Sequence, residues 1–286
     1  MPGVAVRPAH AKVNLWLNVV GRRADGYHLL DSLVAFVDLA DRIEVRPSDR
    51  LSLEIAGPQA GDLAAESDNL VLKAARLLAD RAGVAPLAAI RLEKHIPVAA
   101  GLGGGSADAA AALRALGDLW RLALPDEVLL ELAAALGADV PMCVAGRAAL
   151  ASGVGERLQP APVLPVVSIL LVNPGTALPT RDVFAARRGP FSTSLPVTRS
   201  WRDLPEFVAA LAARGNDLGE AAIALCPIIA EVLSFLRKSD GARYAAMSGS
   251  GATCFALYDS PAAAQRASAS MPAAWWRHVG TFVTSG

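Results

Sequence analysis

The chain has 286 residues, enough for about two domains with separate cores. Its 27 Lys and Arg equal its 27 Asp and Glu, which leaves no electrostatic case for nucleic acid or an acidic membrane as the main partner, so any anion is bound locally. Hydrophobic residues make up 53% of the chain, yet the most apolar run, Val163 to Val172, is broken by Pro165 and Ser168 and falls well short of the roughly 18 residues of a membrane span. The N-terminal MPGVAVRPAHAK lacks the continuous apolar stretch of a signal peptide, so a cytoplasmic location is expected. Cys143, Cys226 and Cys254 lie far apart in apolar stretches and read as buried thiols. His10, His28, His95 and His278 are scattered without ligand spacing, so no metal held by the protein itself is expected.

Ala11 to Val20 alternates as a strand does, with Ala11, Val13, Leu15, Leu17 and Val19 on one face and Lys12, Asn14, Trp16 and Asn18 on the other. Lys12 and Asn14 are then about 7 Å apart on one side, able to reach one bound molecule or simply to face solvent. Arg22 to Gly26 reads as a turn, with Tyr27 and His28 beyond it. An aromatic ring and an imidazole close after two arginines suit a flat base next to phosphates, or merely edge a loop. Arg42 to Ile55 reads as a hairpin around Pro47 to Arg50. Asn69 to Ala82 has helical spacing, with Asp68 placed to cap it and Gly83 to end it. Ala89 to Lys94 alternates as a strand leading into the next segment.

That segment, Pro97 to Asp108, reads PVAAGLGGGSAD and runs into the alanine-rich helix Ala107 to Leu119. Glycines let backbone N–H groups turn toward a ligand, and a helix N-terminus favours an anion, so phosphate is the natural occupant; a plain glycine-rich connection is the alternative. No lysine follows the glycines, which excludes a P-loop, and Ser106 stands where a dinucleotide fingerprint needs its third glycine. This also argues against a dinucleotide-binding oxidoreductase. A second helix, Asp126 to Leu136, stops at Gly137, and Asp139 follows, either as a turn former or as a functional carboxylate.

Arg147 to Ser152 reads as a strand, and the Gly- and Pro-rich stretch after it marks the best domain boundary. A strand over Val166 to Asn173 precedes a short helix, Thr180 to Arg187, with Thr180 as its cap. Pro190 to Ser200 is polar and irregular. Helices are expected over Leu204 to Ala213 and Ile223 to Arg237, then strands over Arg243 to Met247 and Thr253 to Tyr258 joined by Ser248 to Gly251, as a hairpin turn or a second glycine loop facing the first. A helix over Pro261 to Ser270 and a strand over Arg277 to Thr284 close the chain.

The segment from Pro97 to Asp108 resembles a signature of the GHMP kinases, the superfamily of galactokinase, homoserine kinase, mevalonate kinase and phosphomevalonate kinase. Gly137 to Pro141 (GADVP) and Met247 to Leu257 (MSGSGATCFAL) resemble further signatures of it, with Ala252 where the family commonly has proline. Ala11 to His28 resembles the N-terminal signature of one branch, whose acceptor substrate carries a cytidine diphosphate group. The resemblance implies a two-domain α+β fold. An N-terminal ribosomal-protein-S5-like ATP-binding domain would cover residues 1–155 and a C-terminal α/β substrate-binding domain residues 156–286, the last strand being able to return to the first domain. It implies that Lys12 and Asp139 are catalytic and that Asn14, Tyr27, His28 and Phe184 contact the substrate, Phe184 packing on the base opposite Tyr27. ATP would be held by Pro97, Val98, Ala99, Ala100, Gly101, Leu102, Gly103, Gly104, Gly105, Ser106 and Ala107, with Mg2+ arriving with it. The acceptor is a small molecule, and the assembly is a monomer or weak homodimer without nucleic acid or membrane. A kinase of the same superfamily for a sugar, homoserine or mevalonate is the nearest alternative. A ligand-binding regulator on the same fold is a further one, which would be expected to have lost Lys12 or Asp139.

Overall fold

The alternation over 11–20 belongs to a longer strand, β1 (Ala5–Arg22), which pairs with β2 (His28–Arg46) across the turn at 23–27. The computed structural model describes residues 3–61, 69–197 and 200–283. They divide into two units, the division passing after Lys12 in β1 and after Asp38 in β2.

The first unit holds the chain up to Lys12, Leu39–Val98 and Gly103–Gly146. Its elements after β2 are β3 (Ser52–Ala56), α1 (Leu70–Ala82), β4 (Ala89–Glu93), α2 (Gly104–Leu119), α3 (Asp126–Leu136) and α4 (Val140–Ala145). The hairpin expected around 47–50 does not form. Instead β4 lies between the two strands, antiparallel to β2 with Leu92 opposite Ile43, and parallel to β3 with Ile90 opposite Leu53. Pro47, immediately after β2, has no N–H with which to continue a ladder. Ile43, Val45, Ile90 and Leu92 are buried with Val71, Leu78, Leu113, Leu116, Leu129 and Leu132 in one core. Each such side chain contributes about 1.5–3 kcal/mol on burial. The alanines of α2 (Ala107, Ala109, Ala112 and Ala115 among them) keep its surface thin where α1 and α4 pack on it.

The second unit holds Val13–Asp38, Ala99–Leu102 and the chain from Arg147 onward. It adds β5 (Ala149–Gly153), β6 (Arg157–Pro160), β7 (Ser168–Asn173), α5 (Thr180–Ala186), α6 (Leu204–Arg214), α7 (Gly219–Leu225), α8 (Ile228–Lys238), β8 (Ala242–Met247), β9 (Cys254–Tyr258), α9 (Pro261–Ser270) and β10 (Trp276–Thr281). The Gly- and Pro-rich stretch after β5 contains a strand, β6, antiparallel to β5. Four antiparallel strands in the order β10-β7-β9-β8 carry Leu170, Val172, Cys254 and Ala256 into a second core shared with Ile229, Val232 and Leu236 of α8. The single helix expected over 223–237 is two, because Pro227 lacks an N–H and disfavours helical geometry at Cys226. Thr180 is not the cap of α5: Pro179 holds that position, and Thr180 Oγ1 is 2.8 Å from Ser250 Oγ. Residues 190–197 and 200 form no regular element. Thr284, the expected end of the last strand, lies outside the described residues.

Asp68, the expected cap of α1, also lies outside them; Asn69 holds the cap position, its side chain accepting the Val71 N–H at 2.8 Å, and Gly83 ends the helix at φ 66°. Asn69→Ala should therefore lower stability by about 1 kcal/mol, read as a lower urea midpoint, whereas an unchanged midpoint would contradict the cap.

Candidate active site

Lys12 lies on β1 between Ala11 and Val13, both fully buried, and is itself 6% exposed. The side of the strand carrying Lys12 and Asn14 is therefore covered rather than solvated. The Lys12 ammonium is 3.1 Å from Asp139 Oδ2, with the lysine side chain 8% and the aspartate side chain 42% exposed. Asp139 occupies the cap position of α4, yet its carboxylate makes no capping hydrogen bond to that helix. Of the two readings open for this residue, the turn former is thus not the one its side chain follows. A buried cation holds a carboxylate that stays half open to solvent, which is the arrangement needed to meet an incoming hydroxyl.

Gly103 adjoins this pair in the same unit. It is the residue before α2, with φ 65°, and a Cβ there would stand 2.6 Å from Lys12 Cγ. Both its backbone angle and its lack of a side chain are required for the lysine stem to pass. Gly104 and Gly105, expected in a flexible loop, are instead the first two residues of α2, followed by Ser106. The first acceptance within this turn is Ala107 N–H to Gly103 O at 2.9 Å. The helix supplies no acceptor for the N–H groups of Gly104, Gly105 and Ser106, and its dipole is positive there. These groups can take a phosphate. Ala100, Leu102 and Ala107 are buried, so their part in any ligand site is limited to the backbone. Ala99 is held at φ 52° although it is not glycine, a strained angle of the kind that accumulates at functional loops. Pro97 and Val98 are half-buried.

In the second unit the segment Ala99–Leu102 meets the turn after β8. Ser248 Oγ donates to Gly101 O at 3.1 Å and Thr253 N–H to Ala100 O at 3.2 Å. A Cβ at Gly101, where φ is 75°, would stand 2.7 Å from Gly251 O. Ala99–Leu102 thus faces that turn. Asn216 Nδ2 holds the turn through Met247 O and Gly249 O, both at 2.8 Å, and Ala252 is fully buried. Asn14 donates to Ser32 Oγ at 2.8 Å, and its backbone N–H donates to Ser248 Oγ at 3.2 Å.

The ring of His28 stacks on that of Phe184 with centroids 5.1 Å apart and planes at 26°, while Tyr27 is 63% exposed. Phe184 also packs against the second core. Burial, then the charges of Arg22 and Arg187, hold the pKa of His28 below its usual value, so the imidazole is neutral and can accept as well as donate a hydrogen bond.

One further group, the buried ions Lys94, Asp41 and Asp108, is joined by no single motif. A lysine closing a strand of otherwise alternating apolar residues, directly before a glycine segment, was the available signal.

Known proteins match this chain over most of its length. The GHMP kinases N terminal domain matches residues 69–147, and the GHMP kinases C terminal domain residues 197–277. A Paramagnetospirillum magneticum protein named 4-diphosphocytidyl-2-C-methyl-D-erythritol kinase is 53% identical over 271 residues, 94% of this chain and 95% of that one. A Ruegeria pomeroyi protein of the same name is 56% identical over 256 residues, 88% of each chain. A crystal structure of 4-(cytidine 5'-diphospho)-2C-methyl-D-erythritol kinase superposes with a TM-score of 0.82 at 41% identity, covering 98% of this chain and 100% of that one.

Two outcomes test the geometry. Gly103→Ala should displace Lys12 and lower kcat by about 100-fold, the order expected when a reacting group shifts by an ångström; undiminished kcat would contradict the close approach. An NMR titration of His28 should give a midpoint below the ordinary 6.5, moving up in Arg22→Gln. Because the unfolded chain then holds more protons, the stability this residue contributes is present above the unfolded midpoint and is lost as pH falls from there through the lower, folded midpoint. A midpoint at or above 6.5 would overturn the assignment.

Proposed function

The chain belongs to the GHMP kinase family, and from that premise we infer that it uses ATP to phosphorylate the 2-hydroxyl of 4-diphosphocytidyl-2-C-methyl-D-erythritol, a step of the non-mevalonate route to isoprenoid precursors. The observation that carries the mechanism is the Lys12–Asp139 pair at 3.1 Å, next to Gly103 at the head of α2. Asp139 accepts the proton of the acceptor hydroxyl, or a hydrogen bond from it, as its oxygen attacks the γ-phosphorus. The bond from that phosphorus to the β–γ bridging oxygen breaks, ADP leaves, and Asp139 returns the proton to solvent. Lys12 orients Asp139 and stabilises negative charge developing on the attacking oxygen. The N–H groups of Gly104, Gly105 and Ser106 hold the β- and γ-phosphates.

Magnesium accompanies the nucleotide and, when bound, neutralises phosphate charge. Among the described residues no group of three or more His, Cys, Asp or Glu side chains could hold a metal ion. The Ser106 hydroxyl, in the first turn of α2, suits a cation that keeps phosphate and water as its main ligands.

The cytosine is recognised by Tyr27, His28 and Phe184, with Asn14 reaching the same substrate. The neutral His28 imidazole can pair with a pyrimidine edge, and an exposed Tyr27 is available to close over the base. ATP binding belongs to residues 1–155 and acceptor binding mainly to 156–286, with Asn14, Tyr27 and His28 contributed by the N-terminal part. No described helix is long and apolar enough to cross a membrane, and highly charged substrates of this kind suit a cytoplasmic enzyme.

ATP-to-ADP turnover with magnesium, compared across this substrate, mevalonate, homoserine and galactose, tests the reading. Turnover should be confined to the cytidine compound, and Asp139→Asn should abolish it while leaving ATP affinity nearly unchanged. Turnover with another acceptor would overturn the base-binding assignment, and normal turnover in Asp139→Asn would overturn the catalytic one.

A further inference from the structure

β4 delivers the chain to the phosphate segment through a buried cluster of charges. Lys94, the residue after β4, is 2% exposed, Asp41 of β2 is 1% exposed and Asp108 of α2 is 3% exposed. The Lys94 ammonium donates to Asp41 and, at 2.7 Å, to Asp108 Oδ2. Asp41 Oδ1 accepts the backbone N–H groups of His95, at 2.5 Å, and Ile96, at 2.8 Å. Asp41 thereby fixes the chain as it leaves β4, and Lys94 ties that joint to α2. Asp108 Oδ1 is buried and has no hydrogen-bond partner among the described residues.

Such a cluster is poorly explained as a device for stability alone. Replacing buried ions by apolar side chains of similar volume is often neutral or stabilising, by about 1–4 kcal/mol. Its position suggests another use. A Cβ on Gly104 would stand 3.3 Å from the Lys94 ammonium and 3.1 Å from Ile96 Cγ2. The cation therefore lies against the first residue of α2, behind the N–H groups assigned to the phosphates. Burial disfavours its charge, but Asp108 and Asp41 more than compensate, so it remains an ammonium. Burial pushes the pKa of Asp108 up, with Lys94 opposing and Asp41 adding to the rise.

We propose that Lys94 is a positioning residue for the nucleotide triphosphate: clamped between Asp41 and Asp108, it fixes the first turn of α2 and with it the N–H groups of Gly104 and Gly105. This rests on the phosphate reading of that helix terminus. The acceptor substrate is not addressed by this group.

Lys94→Met leaves two carboxylates without their cation and risks unfolding. The informative protein is Lys94→Met/Asp108→Leu, which keeps Asp41 on its two backbone N–H groups and the formal charge of the cluster unchanged. Calorimetric titration of the full chain with magnesium and ADP, together with steady-state kinetics, provides the readout. The double variant should fold and melt near the unaltered protein, with the Kd for ADP and the KM for ATP raised about tenfold or more and the KM for the cytidine substrate unchanged. Equal ADP affinity in the folded double variant would overturn the inference alone. A double variant that cannot fold would overturn it as well, by making the cluster a requirement of folding. Absence of ADP binding by the unaltered protein would overturn the phosphate reading from which the inference proceeds.

Discussion

A buried lysine and a half-exposed aspartate 3.1 Å apart impose a demand on three elements of the first unit. Lys12 comes from β1, Asp139 from the start of α4, and the lysine stem crosses Gly103 at the start of α2, where no Cβ fits. The ends of those elements must meet within a few ångströms, which bulky side chains on α2 would prevent. The alanines along α2 follow from this: they let α1 and α4 approach closely while leucines at Leu113 and Leu116 still fill the core. The ion pair here constrains packing, and the packing in turn explains an otherwise odd run of small residues.

Much of this was legible in the sequence because period and punctuation agreed. α3 and α9 occupy the spans their patterns predict, since an acidic first turn and Gly137 bound one and Ser260 caps the other. The face of β1 carrying Lys12 and Asn14 was ambiguous, because alternation reports which residues share a side and not whether that side is covered. Asp139 was ambiguous in the same way. Aspartates after helices usually turn inward to the backbone, and only the position of Lys12, more than 120 residues earlier in the chain, decides otherwise.

The hairpin at 47–50 was inferred from neighbouring runs, but β4, from further along the chain, takes the place between them. The apolar stripe of 223–237 runs on through Pro227, but a proline removes a backbone donor whatever the pattern around it, and two helices result. Gly104 and Gly105 suggested a loop because glycine is a poor helix former, yet at the first turn a helix has unpaired donors in any case, and a ligand site gains from their exposure. The ions at Lys94, Asp41 and Asp108 come from three separate stretches; the lysine after β4 is a local sign of one of them, and none marks its two partners.

The central claim is that Lys12 and Asp139 act as one catalytic unit, and a double-mutant cycle on kcat tests it most directly. Lys12→Ala, Asp139→Asn and the double variant would be compared under saturating ATP and cytidine substrate. If the two side chains work through each other, the double variant loses no more activity than the worse single one. If the losses multiply, the two groups act independently, and their contact is no more than an ion pair of the fold.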